Sequence, residues 1–311
     1  MTVSGVIFLD KPYGWSSRRA VNEVMRCMAE ISGVRPKAGH AGTLDPLATG
    51  MLPILLGEAT RFADHGLNAK KSYLVEIDLS YQTDTLDKEG VVVARFPERP
   101  LAHAQLRRVL QDFVGTRMQV PPAYSAVRIA GKRAHALARA GAEVALPARQ
   151  ITIHQLKLEW LDGMCLALYV ACSKGTYIRA LARDLGERLG LGGCVTALRR
   201  LGSGSWGEEH MVTIEQFRQR GLACMVPLSD WLRDLPVCRL NRTMACRFVQ
   251  GQRLQLAERQ RGEVAVFTGT LLLGTGELRQ GMRHAVLHPR KVLPSARVAL
   301  TSKQRDQGEP Q

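Results

Sequence analysis

Residues 32–53 constrain this chain more than any other stretch. Gly33, Gly39, Gly42, Gly50, Pro36, Pro46 and Pro53 interrupt every helical or strand period across it. Yet Leu44, Leu47, Met51 and Leu52 lie among them, and a disordered linker has no use for apolar residues. The pattern predicts a long irregular loop that is ordered and has a job, carried by a scaffold rigid enough to hold it.

The scaffold reads as mixed strand and helix. Residues 6–9 are a short apolar run stopped by Asp10, Lys11, Pro12, Tyr13 and Gly14, a strand and then a turn. Ser16 and Ser17 offer N-caps to a helix with Val21, Val24, Met25, Met28 and Ile31 on one face. Tyr73, Val75, Ile77, Leu79 and Tyr81 recur at every second position, giving a strand with one apolar face. A turn over 83–90 leads to a second strand at 91–96. Leu106, Val109, Leu110 and Phe113 mark a helix ending at Gly115, and Pro121 and Pro122 exclude helix or central strand just beyond. A short helix is expected at 134–140, strands at 151–161, 166–172 and 195–201, and a helix with Ile178, Leu181, Ala182, Leu185 and Leu189 on one face. Past Pro236 the pattern is a small β module, with a hairpin about Gly269 and a turn region over 274–281. The expected organisation is 1–232, then 236–292, then a polar, frayed tail at 293–311.

Charge narrows the function. The 311 residues hold 43 Lys and Arg against 28 Asp and Glu, a formal net charge of +15. A surplus of that size points to a polyanion: RNA, DNA or an acidic membrane surface. No apolar run approaches the ~20 residues of a membrane span, and the N-terminus lacks the apolar core of a signal peptide. Seven scattered cysteines without a C-x-x-C pair read as reduced thiols of a cytoplasmic protein. They argue against a cysteine zinc site, and His284 and His288 lack a third ligand.

Asp45 is the first chemical lead. Pro46 biases it toward extended backbone, and the nearby glycines allow close approach to another molecule. A carboxylate so presented can act as nucleophile or base, although Asp-Pro is also an ordinary turn. Nothing local supplies a second acid, so a two-carboxylate hydrolase scheme has no support. Arg179 is the second lead. It falls in the first turn of a helix, off the apolar stripe, where its charge opposes the helix dipole. A carboxylate or an RNA phosphate would compensate it; a solvated arginine is the plain alternative. Tyr73 falls with the apolar set of its strand, and His40 just precedes the loop. Lys132, Arg133, Arg199 and Arg200 form two basic pairs, in part solvated faces and in part phosphate contacts.

Residues 39–53, Gly-His-Ala-Gly-Thr-Leu-Asp-Pro-Leu-Ala-Thr-Gly-Met-Leu-Pro, closely resemble the catalytic loop of the bacterial TruB-type tRNA pseudouridine synthases. Asp10, Lys11, Pro12, Gly14, Ser16 and Ser17 fit that family's N-terminal motif. Lys71 with Tyr73, the Thr83 to Gly90 turn, and Gln119 with Pro121, Pro122, Tyr124, Ser125 and Ala126 fit as well. So does the run from Cys172 to Arg179, followed by Leu198, Arg199, Arg200 and Leu201. Ser80 and His135 depart from it, where the family carries glycine and an aromatic. The likeness covers about the first 230 residues.

The resemblance implies an α+β fold, with a mixed, mainly antiparallel sheet, flanking helices and a small C-terminal β (PUA-like) domain. It implies isomerisation of uridine to pseudouridine at position 55 in the TΨC arm of tRNA, without cofactor or metal. Asp45 becomes the catalytic aspartate. Tyr73 packs on the target base, Arg179 pairs with Asp45, Tyr177 and the Leu198 backbone line the pocket, and His40 enters the RNA loop. The implied partner is the tRNA T-arm stem-loop, not DNA or a membrane, and the implied working unit is a monomer. An RNA-binding or RNA-folding protein acting without catalysis would need the basic surface but not the set of Asp45, Tyr73 and Arg179.

Overall fold

The computed structural model describes residues 3–125, 128–129, 132–133, 146–257, 261–281 and 284–305; the side chains of 128–129, 132–133 and 302–305 fall outside that description. The expected helix at 134–140, His135, the Lys132 and Arg133 side chains and residues 306–311 therefore lie outside the described part.

The chain runs β1 (Gly5–Lys11), α1 (Ser17–Ser32), β2 (Ala38–His40), β3 (Thr49–Leu56), α2 (Ala63–Asn68), β4 (Lys71–Asp78), β5 (Tyr81–Thr83) and β6 (Val92–Arg95). Next come α3 (His103–Phe113), β7 (Gly115–Gln119), β8 (Arg128–Ile129), β9 (Lys132–Arg133), β10 (Arg149–Asp162), β11 (Cys165–Cys172), α4 (Ile178–Leu189) and β12 (Cys194–Ser203). The last third holds α5 (Ile214–Arg220), α6 (Leu228–Trp231), β13 (Val237–Arg239), α7 (Arg242–Val249), β14 (Leu254–Leu256), β15 (Gly262–Thr268), β16 (Leu271–Gln280), β17 (Ala285–Val292) and α8 (Pro294–Arg305).

One eight-stranded sheet dominates, in the order β1-β3-β12-β4-β11-β10-β7, with β2 paired to β3. Every pairing is antiparallel except β3 with β12. A five-stranded sheet, β13-β15-β16-β17-β14, follows. The fold is thus α+β, mixed and mainly antiparallel, as expected.

The apolar run at 6–9 has no polar alternation because both faces of β1 are buried. Ile7 and Leu9 join the core under α1, with Val21, Val24, Cys27 and Met28. Val6 and Phe8 point the other way, into a cluster with Trp206, Trp231 and Leu232 that continues to Phe248, Val264 and Leu287 of the small sheet. In β3, Leu52, Ile54 and Leu56 face the first core, while Met51 and Leu55 face the second. The second core is therefore shared between the two sheets.

Four expectations are corrected. Residues 32–53 are not irregular throughout: β2 and β3 lie inside that stretch. Gly50 sits at φ +90°, and a Cβ there would lie 2.3 Å from the Arg200 carbonyl oxygen, so this glycine lets β3 and β12 approach within the sheet. The strand through Tyr73 stops at Asp78, whose carboxylate accepts from the Ser80 amide at 2.8 Å and the Ser80 hydroxyl at 2.6 Å, folding a bend before β5. The turn expected at 274–281 is for the most part β16, continuous to Gln280; a Cβ on Gly274 would meet the Lys291 carbonyl oxygen at 1.8 Å, so this glycine too marks close strand approach. The tail begins not as frayed chain but as α8, with Leu293 just before it and Ala296 and Leu300 within it buried.

Candidate active site

The Asp45 loop is fastened to the N-terminal segment by polar clamps. Ser16, not Ser17, caps α1, its hydroxyl accepting from the Arg19 amide at 3.1 Å. Ser17 is freed for another task. Its hydroxyl donates to the Leu44 carbonyl and accepts from the Leu44 amide, both at 2.9 Å. The Pro46 carbonyl accepts from the Gly14 amide at 2.9 Å and from the Lys11 ammonium at 3.4 Å. Lys11 is fully buried and also donates to the Pro12 and Trp15 carbonyls, at 2.9 and 2.8 Å. Burial lowers its pKa to about 8, against the opposing pull of Asp45. Beneath the loop Arg200, 1% exposed, donates to the Met51 and Thr43 carbonyls at 2.5 and 3.5 Å. Each clamp satisfies a loop carbonyl or amide that a strand ladder would otherwise have to meet.

Asp45 itself stands at the rim of a cavity of about 350 Å³. Arg179 approaches it from the first turn of α4, donating from Nε at 2.9 Å and lying with Nη2 at 2.8 Å from the same oxygen, Oδ2. Among the described residues no hydrogen bond falls on Oδ1. The Asp45 side chain is 39% exposed and that of Arg179 6%. The rest of the guanidinium is also occupied. Nη1 donates to the Thr85 carbonyl at 2.7 Å, Nη2 to the Tyr124 carbonyl at 3.0 Å, and Asp87 Oδ2 lies 3.4 Å from Nη1. Asp87 is buried in its turn, accepting from the Thr85 hydroxyl at 2.7 Å and the Glu89 amide at 3.1 Å. Arg179 is thus wedged between two carboxylates, one open to the cavity and one sealed behind it.

The cavity gathers Asp45, Tyr73, Tyr177, Arg179 and Leu198. Tyr73 reaches it from β4, 9% exposed, its hydroxyl pKa raised by burial. Tyr177, the residue before α4, is held by Gln119: the side-chain amide donates to the Tyr177 carbonyl at 3.1 Å and accepts from its N–H at 2.9 Å. The Arg149 guanidinium lies 4.3 Å from the centre of the Tyr177 ring. His40 is not a wall of this cavity. It sits in β2 opposite Ile54, half-buried, its pKa lowered by burial. Lys71 also lines the cavity but is spent on the end of α2, donating to the Gly66, Leu67 and Ala69 carbonyls at 2.7, 3.1 and 2.7 Å. Burial lowers its pKa to about 8.

An acid with one free oxygen, a buried arginine holding the other, and a tyrosine wall suit a reaction at a flat, neutral ring. The comparisons with known proteins agree. Residues 29–178 match the TruB family pseudouridylate synthase (N terminal domain) model, and residues 179–234 match the tRNA pseudouridylate synthase B C-terminal domain model. The tRNA pseudouridine synthase B of Methylobacillus flagellatus is 42% identical over 254 residues, covering 80% of this chain and 82% of the relative. That of Azoarcus sp. BH72 is 38% identical over 295 residues, covering 94% and 95%. The chain belongs to the TruB family of pseudouridine synthases. A crystal structure of a Cbf5-Nop10-Gar1 complex shares the fold, with a TM-score of 0.73 at 24% identity over 95% of this chain and 86% of that one.

The TruB family models end at 234, before the small sheet, whereas the fold likeness covers too much of the chain to omit it. Sequence reasoning missed three participants. Asp87 was hidden in what reads as a turn, Ser17 in what reads as a helix cap, and Arg149 at the start of a strand. Ser17 does not fill that local role, whereas Asp87 and Arg149 fill theirs and have a further contact that only the fold reveals.

Proposed function

We propose that this chain converts uridine to pseudouridine at position 55 in the T-arm of tRNA, with Asp45 as the catalytic carboxylate. The reaction breaks N1–C1′ and joins C5 to C1′; the C5 proton is lost and N1 gains one. Atoms and electrons balance without redox change. The observation that carries the reading is the Asp45 carboxylate in the cavity lining, fixed through Oδ2 by Arg179 while the side chain stays 39% exposed. Attack at C1′, promotion of a glycal and addition at C6 all start from a carboxylate so held. Arg179 holds it in position as the substrate excludes water.

A stacked uridine cannot reach a cavity of this kind, so the nucleotide turns out of the RNA loop at a cost of a few kcal/mol. Stacking of the uracil on Tyr73 returns ~1–3 kcal/mol. Tyr177 and the Leu198 backbone hold the free base while it turns over, and His40, outside the cavity, is assigned to the RNA loop. The hydrolase alternative needs a second carboxylate at the substrate; Asp87 is the near one, and it lies behind Arg179, away from the cavity lining.

Residues 236–292, a PUA-like module in this reading, contribute RNA contacts through Arg239, Arg253, Arg279 and Arg290. The reading takes a monomer as the working unit, and seven free thiols suit the cytoplasm. The test is to incubate the purified protein with a T-arm hairpin and map pseudouridine base by base. Conversion at the target uridine supports the reading; release of free uracil, or binding without conversion, would contradict it.

A further inference from the structure

The cavity holds four cations, Lys71, Arg149, Arg179 and Arg200. Lys71 is saturated by three carbonyls and Arg179 by two carboxylates and two carbonyls, while Arg200 donates from Nε and Nη1 to the Met51 and Thr43 carbonyls and leaves only Nη2 buried without a partner, too little for a two-point grip. Arg149 differs. Its Nε and Nη2 are buried and have no hydrogen-bond partner. These two nitrogens form one edge of the guanidinium, the fork that meets two oxygens of one anion side-on. The only carboxylate among the described lining residues, Asp45, is already committed to Arg179.

The fork is held in place before any ligand arrives. Arg149 opens β10 directly opposite Gln119 of β7, and Gln119 clamps the Tyr177 backbone. The guanidinium lies over the Tyr177 ring, a contact that holds its position but satisfies neither Nε nor Nη2. Two buried donors without acceptors have lost their water and gained nothing in return. Burial without a counter-ion also lowers the Arg149 pKa. Both penalties vanish when an anion with two oxygens fills the fork. In an RNA substrate that group is a backbone phosphate.

We propose that Arg149 grips a backbone phosphate beside the flipped uridine, side-on through Nε and Nη2, and so fixes how deep the nucleotide enters the cavity. This rests on the reading of the chain as acting on RNA. The experiment uses synthetic T-arm hairpins carrying a single neutral methylphosphonate at each linkage around the target uridine in turn. Binding is measured for the wild-type protein, Arg149→Ala and Arg149→Lys, with the melting profile of each recorded alongside.

At one linkage, neutralising the phosphate should weaken wild-type binding by about tenfold or more, the scale of a charge-assisted pair. Arg149→Ala should weaken binding of the unmodified hairpin comparably, and the same methylphosphonate should then cost it less than about twofold. Arg149→Lys keeps the charge but loses the fork, so it should retain the wild-type salt slope while binding the unmodified hairpin more weakly. Losses that multiply at every linkage in Arg149→Ala would overturn the proposal, as would wild-type affinity in Arg149→Lys. Failure of the underlying reading shows separately, as wild-type protein that makes no pseudouridine in the unmodified hairpin.

Discussion

The loop around Asp45 and the small sheet beyond Pro236 are stabilised by different means. The loop is positioned by polar clamps: Ser17 on both backbone groups of Leu44, Lys11 and Gly14 on Pro46, Arg200 on Thr43 and Met51. The small sheet is joined to the large one chiefly by apolar contact, through a cluster running from Val6 and Phe8 by way of Trp206 and Trp231 to Phe248, Val264 and Leu287. Polar bonds join it only at the margin, as between Ser295 and Glu58 and between Lys291 and Asp64. Hydrogen bonds are directional and fix a carboxylate to a fraction of an ångström; apolar burial is not, and supplies stability without fixing any one atom. The proposed chemistry sits where the directional bonds are.

Ending the chain at Asp234 tests the apolar half. That truncation uncovers the end of the shared cluster near Phe62 and Trp231, on the order of two large side chains at about 1.5–3 kcal/mol each. The melting temperature should fall by about 10 °C or more. An unchanged melting temperature would make the small sheet an independent appendage and dissolve the comparison. Arg179→Ala tests the polar half. It strands Asp87, buried at 7% side-chain exposure, more severely than Asp45, which sees solvent. Breaking such a pair from one side costs about 3–5 kcal/mol, so stability and turnover should fall together. Arg179→Ala with Asp87→Asn should regain part of the stability but not the turnover; equal recovery of both would show that Asp45 does not depend on Arg179.

Ser17→Ala removes two buried hydrogen bonds at Leu44 and should cost about 1–3 kcal/mol. Because the clamp positions Asp45, kcat should fall while RNA affinity stays close to wild type; a stability loss with unchanged kcat would make the clamp structural only. The smallest effect is a pH dependence. The Lys71 pKa is lowered by burial in the folded protein to about 8 from the usual 10.5, so between these values the unfolded chain binds more protons. Stability contributed by Lys71 therefore rises with pH through that window, by about 1–2 kcal/mol between pH 7.5 and 9.5. Denaturant midpoints of wild type and Lys71→Met should converge or cross accordingly; parallel pH profiles would remove Lys71 from the account.

Much of this was legible in the sequence, for identifiable reasons. The strand through Tyr73 and the α4 stripe follow the two periods of regular structure, and α1 keeps Val21, Val24 and Met28 buried although Ile31 is 38% exposed. Asp45 and Arg179 were legible chiefly because residues 39–53 and 172–179 resemble the TruB-type motifs; by themselves the residues left an ordinary Asp-Pro turn and a solvated arginine open. What escaped were residues with an adequate local explanation. Gly50 and Gly274 resemble turn glycines, and only the neighbouring strands reveal that they allow close approach. Asp87 and Ser17 resemble a turn and a cap, and only tertiary contact shows them holding Arg179 and Leu44. The α8 helix was missed because its buried residues, Ala296 and Leu300, with Leu293 just before it, run into a polar chain end.

The central claim is that a single carboxylate, held through one oxygen and open at the other, performs the isomerisation. Asp45→Asn keeps the shape of the side chain and removes its charge. Binding of a T-arm hairpin by this variant should stay within about threefold of wild type, since the phosphate contacts are untouched. In a single-turnover assay it should form no pseudouridine. Substantial turnover by Asp45→Asn, at any pH where the protein stays folded, would contradict the account.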